Sequence, residues 1–206
     1  KAVTKDARET ARRTPVGAVV VLRSSMCWLV LLAAWPAMAA KPVEIDTAQS
    51  RIGFTLKTRW GQSLDGRFPQ WRGEIVPAGE RRQVRLKLPT GDVEILGHPQ
   101  YSKITRGKGF FDADQHPYVE FVSDPYDEAL LHEGGLLAGA LTIRGVRRRE
   151  VFTLQPSACK RPAVDCDVVA SGIVYRADYA MDRWGFALSD RVVFDLHIRT
   201  RGTNAP

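Results

Sequence analysis

"RVVFDLHIR", residues 191–199, decides the fold class. Val192, Phe194, Leu196 and Ile198 alternate with Arg191, Asp195, His197 and Arg199, a period of two rather than 3.6. Successive side chains of an extended chain point to opposite faces, so this stretch buries one face and wets the other, as antiparallel strands do. Working outward, the same period recurs. Ile52, Phe54 and Leu56 alternate with Arg51, Thr55 and Lys57; Val84, Leu86 and Leu88 with Arg85 and Lys87; Val119 and Phe121 flank Glu120. Turn signals lie between the runs: Leu64-Asp65-Gly66, Pro77-Ala78-Gly79, Glu133-Gly134-Gly135, Arg144-Gly145 and Lys160-Arg161-Pro162. Short strands at roughly 8–12-residue spacing predict an all-β sandwich or barrel. Only residues 97–116, "GHPQYSKITRGKGFFDADQH", break the alternation, and a short helix or two is expected there.

The amino-terminal part reads differently. Arg23, the apolar run in "MCWLVLLAAWPAMAA" (26–40) and the small residues Ala37-Met38-Ala39 have the order of a secretory signal peptide. The run is about ten residues long, half of the roughly 20 a bilayer span needs. Residues 1–39 are therefore expected to be leader and signal peptide, and residues 40–206 one exported domain without a stable membrane span after cleavage. Six of the 30 basic residues and two of the 23 acidic ones fall in residues 1–39, so the +7 of the whole chain becomes +3 for the rest. With both signs interspersed, that balance gives no nucleic-acid footprint. Cys159 and Cys166, on either side of Lys160-Arg161-Pro162, are expected to form a disulfide across a loop between two strands, as in an exported protein.

Catalytic patterns are missing. The sequence has no G-x-S-x-G, no His-x-His or His-Glu-x-x-His metal spacing and no phosphate-cradling glycine loop, and His98, His116, His132 and His197 stand apart. His197 is read as facing solvent, and Arg147-Arg148-Arg149 as a solvated loop tip. Asp112, Asp114 and His116 have the spacing of three ligands on one strand face, but His116-Pro117 follows at once. Proline continues a ladder poorly, so these acids are read as a turn or cap whose carboxylates accept backbone N–H groups. Aromatics carry the stronger signal. Phe54, Trp60, Phe68, Phe121, Tyr175 and Phe194 fall on apolar strand faces, and Phe110, Phe111, Trp184 and Phe186 beside irregular segments. Each alone is ordinary core; together they suit the lining of a cavity for a long apolar ligand.

Five stretches occur in order: "IDTAQSRIGFTLK", "GRFPQWRGEI", "FFDADQHPYVEFVSD", "GALTIRGVRR" and "MDRWGFALSDRVVFDLHIR". In that order they resemble the successive signatures of the YceI-like family of bacterial exported proteins, from about Val43 to Arg199. The resemblance implies an all-β, eight-stranded antiparallel lipocalin-like barrel with a short helical insertion, no catalytic residues, and an amphiphile along the barrel axis: a polyisoprenoid, an isoprenoid quinone or a fatty-acid derivative. Phe54, Phe68, Phe111, Phe121 and Gly145 match the family's recurrent core and turn positions. Asp182-Arg183-Trp184-Gly185-Phe186 resembles its Asp-Arg-x-x-Phe-Gly-like segment with Phe and Gly reversed.

The expected function is therefore binding, as carrier, store or scavenger, and not catalysis. The expected ligand-binding residues are Phe54, Trp60, Phe68, Phe110, Phe111, Phe121, Tyr175, Arg183, Trp184 and Phe186, with Arg183, Arg144 and Tyr101 as polar rim candidates. No cofactor is expected beyond a bound isoprenoid or lipid. The expected partner is a hydrophobic small molecule or lipid, with a homodimer left open. The rival reading is a non-catalytic envelope module whose aromatics simply fill the core.

Overall fold

A computed structural model describes residues 41–202; the expected signal peptide lies outside the described residues. The chain runs β1 (Val43–Glu44), β2 (Arg51–Thr58), β3 (Ser63–Arg67), β4 (Arg72–Ala78), β5 (Arg81–Pro89), β6 (Glu94–Ile95), α1 (Pro99–Arg106), β7 (Tyr118–Ser123), α2 (Ala129–Glu133), β8 (Gly135–Ile143), β9 (Val146–Leu154), β10 (Val168–Tyr175) and β11 (Leu188–Ile198). All strands join one antiparallel sheet in the order β1-β4-β5-β7-β8-β9-β10-β11-β2-β3-β6. The sheet curls into a half-barrel around a buried inner face, the expected lipocalin-like all-β fold. Eleven strands replace the expected eight among the described residues. Two of them, β1 and β6, are two-residue ladder pieces at the ends of the sheet.

Period-two patterning becomes the inner face directly. Ile52, Phe54 and Leu56 of β2 are buried and pair across the ladder with Leu196, Phe194 and Val192 of β11. One row crosses five ladders in register: Gly66, Phe54, Phe194, Gly172, Phe152 and Leu137. The rings of Phe68, Phe54, Phe194, Phe152 and Phe121 follow one another at centroid distances of 5.8, 5.9, 6.5 and 5.1 Å. Such tilted and edge-on pairs pack the interior closely. Around Phe152 and Phe121 the barrel is filled.

Several local expectations change in the fold. Leu64-Asp65-Gly66 is not a turn but the middle of β3. Its glycine serves packing, because Phe54 lies over it. Arg144 (φ 51°) and Gly145 (φ 74°) do form the β8–β9 turn, both left-handed as a two-residue hairpin that follows strand twist requires. Arg147, Arg148 and Arg149 lie inside β9, opposite Thr142, Leu141 and Ala140, rather than at a loop tip; Arg149 pairs with Asp124 at 2.6 Å. The hairpin turn is shorter than the charge run suggested, so the ladder absorbs the arginines. His197 is half-buried, not simply solvated. Its ring contacts Arg51 at 2.6 Å and stands 3.3 Å from both Asp167 and Asp195. Helix α2 had no clear sequence signal; five residues are too few to show a period.

The non-alternating segment holds α1, with Pro99 in its first turn and Gly107 after it. The buried Ser102 hydroxyl accepts the Ile95 N–H at 2.8 Å and pins the helix to β6. Asp112 then turns the chain at φ 49°. Its main-chain carbonyl accepts the N–H groups of Gln115 and His116 at 3.0 and 2.8 Å. The acids thus frame the insert as expected, but the backbone carbonyl rather than a carboxylate makes those bonds. Among the described residues no group of three or more His, Cys, Asp or Glu is arranged to hold a metal ion. Cys159 and Cys166 are joined, Cα–Cα 6.3 Å, in the β9–β10 connection.

Candidate functional site

One end of the half-barrel is not filled. Beneath α1 lies an apolar cavity of about 210 Å³. Leu56 and Leu64 come from the sheet, Ile95 from β6, Ile104 and Thr105 from α1, and Trp60 and Trp184 from two loops. It adjoins a smaller chamber of about 50 Å³ that reaches Phe54, Phe111, Val174, Met181 and Phe194; Leu56, Ile95, Thr105 and Phe110 line both spaces. Larger hollows occur, one of about 650 Å³ beside Trp71, but Arg72, Glu74, Arg85, Lys87 and Glu120 line it and it is an open charged surface. The apolar pair is the better candidate, because ligand pockets are predominantly apolar with few polar groups.

The expected residues divide into three sets. Phe54, Phe110 and Phe111 are buried and line the inner chamber, and Trp60, Trp184 and Tyr101 line the outer cavity. Phe68 stands behind them, buried, its ring 5.8 Å from Phe54 and 5.9 Å from Phe111. Phe121 belongs to the filled column, packed on Phe152. Tyr175 points outward, since the alternate residue Val174 takes the inner face, and Trp60 sits in the β2–β3 turn rather than on a strand face. Phe186 stands outside the cavity, 5.7 Å from Trp184. Arg183 lies beside Gly109, where a methyl group would meet its Cδ at 3.5 Å and Trp184 Nε1 at 3.1 Å. Arg144 donates to the Ala180 carbonyl, away from both spaces.

Arg176 was not anticipated. It opens a 3-10 helix, Arg176–Tyr179, is only 3% exposed, and lines the inner chamber. β11 bulges between Leu188 and Val192, and this bulge supplies one of the two acceptors, the Ser189 carbonyl. Nε of Arg176 donates to the Ser189 carbonyl at 3.0 Å and Nη1 to that of Met181, while Asp190 accepts the Ala177 N–H at 2.8 Å. The guanidinium lies over the Phe110 ring, 5.8 Å from its centroid. Burial lowers its pKa, with Asp190 and Asp182 opposing that shift. An arginine nevertheless stays charged. Tyr179, fully buried in the same turn, donates to Glu150 at 2.7 Å, and burial followed by that bond raises its pKa. The sequence signal was present in "YRADYAM" (175–181), a polar run following a strand, but nothing local shows that its arginine turns inward.

A curled antiparallel sheet filled with aromatics at one end, with a helix-covered apolar cavity at the other, defines a lipocalin-like barrel. The YceI-like domain matches residues 44–200, and the chain belongs to the YceI-like family. Its fold is similar to that of BcnA of Burkholderia cenocepacia: TM-score 0.56, 21% identity, 75% of this chain and 98% of the other. A polyisoprenoid-binding domain from Saccharophagus degradans, implicated in plant cell wall breakdown, gives TM-score 0.57 and 16% identity over 75% and 95%. The YceI protein of Campylobacter jejuni gives TM-score 0.51 and 17% identity over 66% and 84%. No curated protein matches the sequence.

Proposed function

We propose that this protein binds the apolar tail of a long-chain amphiphile, a polyisoprenoid, isoprenoid quinone or fatty-acid derivative, in the cavity under α1, as a periplasmic carrier, store or scavenger rather than an enzyme. The observation that carries this is the pair of adjoining apolar spaces, one lined by Trp60 and Trp184, the other by Phe54 and Phe194, with Phe110 lining both. Membership in the YceI-like family and the likeness to a polyisoprenoid-binding domain support it. The disulfide suits an oxidising compartment such as the periplasm.

Burial of a tail against these side chains is driven at roughly 25 cal/mol per Å² removed from water. The two spaces together are smaller than the roughly 300–1,000 Å³ of pockets that enclose a whole small molecule. In the geometry described, the cavity takes one end of a long tail, and Phe110, between the chambers, governs how deep it reaches. Solvent extraction of the purified protein followed by mass spectrometry tests the reading. A prenyl or acyl amphiphile in stoichiometric amount is expected; an empty extract together with no uptake of an added prenyl or fatty-acyl probe overturns it. A filled-core interaction module is the second reading, favoured by the packed column from Phe68 to Phe121.

A further inference from the structure

Three segments surround the cavity mouth: residues 57–62, 99–110 and 181–188. They hold together as one surface. Arg59 donates from its backbone N–H to the Ala187 carbonyl at 2.9 Å and from Nε to that of Gly185 at 3.0 Å, and Gly109 abuts Trp184 and Arg183. This surface exposes Trp60 (79%), Phe186 (75%), Ile104 (44%), Tyr101 (40%) and Trp184 (37%). Apolar side chains exposed together mark an interaction surface.

Charge is as unevenly placed. The mouth exposes Lys57, Arg59, Lys103, Lys108 and Arg183 against one acid, Asp182. None of the five cations pairs with a carboxylate among the described residues, whereas many arginines elsewhere do. Arg106, the sixth base of these segments, bonds inward to the Val93 carbonyl.

We infer that the cavity mouth docks on an anionic lipid bilayer, Trp60, Tyr101, Trp184 and Phe186 entering the headgroup layer while Lys57, Arg59, Lys103, Lys108 and Arg183 meet its phosphates. Tryptophan and tyrosine favour this layer because their rings are apolar at one end and polar at the other. Cations near an anionic leaflet add to the attraction, and salt screens it. A second copy of the chain fits the same face poorly. A two-fold dimer would bring the same patch of each copy together and oppose unpaired cations of like sign. The inference goes beyond the binding reading and does not depend on what the cavity holds.

Co-sedimentation of the full chain with phosphatidylglycerol and with phosphatidylcholine vesicles tests it. Residues 1–40 are the same in every variant, so their contribution cancels in the comparison. Binding to phosphatidylglycerol should exceed that to phosphatidylcholine by roughly tenfold or more and fall with added salt. Trp60→Ser/Phe186→Ser and Lys103→Glu/Lys108→Glu should each weaken it by a similar factor with unchanged melting temperatures. Extraction of the charge variant should recover the same bound material as wild type, which separates failure here from failure of the cavity reading. Equal binding by wild type and both variants overturns the inference. So does a rim variant that converts a dimer to a monomer without altering vesicle binding, because a second copy is then the occupant.

Discussion

The ring of Phe54 lies over Gly66, its direct partner across the β2–β3 ladder; a methyl group at Gly66 would stand 2.2 Å from Phe54 Cζ. Phe152 covers its ladder partner Gly172, and Phe121 reaches diagonally over Gly139, each 2.6 Å from where a methyl group would stand. Glycine in a strand gives a neighbouring aromatic a place to lie flat. Gly66→Ala should therefore destabilise the fold by roughly 2 kcal/mol, the usual cost of overpacking a full core. Thermal unfolding checks this; a stability equal to wild type would mean that Phe54 moves aside freely.

Phe121 and Phe110 separate filling from lining. Phe121 packs on Phe152 far from the cavity, so Phe121→Ala should cost about 3–5 kcal/mol, detectable as a lowered denaturant midpoint, and leave ligand uptake by the folded protein unaltered. Phe110 stands between the two chambers. Phe110→Ala should change which tail length is retained, read by mass spectrometry of the extracted material.

Arg176 joins the 3-10 helix to the β11 bulge through the carbonyls of Met181 and Ser189. Arg176→Met keeps an unbranched apolar stem but strands two buried acceptors, and a loss of roughly 3 kcal/mol is expected. Arg176→Lys should recover only part of it, since one ammonium cannot reproduce the planar fork. Full recovery by lysine would show that charge alone matters there.

Asp167 predicts the acid limb of stability. The Arg199 Nε bond at 2.5 Å, and then His197, hold its carboxyl below the ordinary 3.8. A carboxylate with a lowered native pKa stabilises the fold fully above its unfolded value, and that contribution is lost as pH falls through the native one. The window is therefore below about pH 4, and Asp167→Asn should flatten the pH dependence of the melting temperature there. The pair is about a third exposed, so solvent screens it and the effect should be small.

Much of this was legible in consecutive residues. The alternation in "RVVFDLHIR" and its counterparts gave β11, β2, β5 and β7, and the break in it located α1. The cysteines, the Arg144-Gly145 turn and the burial of Phe54, Phe68, Phe111 and Phe121 were equally local signals. Strand number was less legible, because two-residue ladder pieces such as β1 and β6 carry no period.

Alternation tells which side of a strand a residue takes, since that depends only on its immediate neighbours. It therefore specified an antiparallel sheet with an aromatic inner face. Whether a given aromatic fills that face or lines a space depends on what it meets across the ladder, and register sets this over long separations. Gly172 met Phe152, so one end closed, while Phe54 over Gly66 kept a face on the inner chamber; α1, pinned at Ile95, covered the other end and left the cavity. Arg176 lines the inner chamber because the Ser189 carbonyl of the β11 bulge and the Met181 carbonyl hold its guanidinium there, an arrangement between segments that no local pattern encodes.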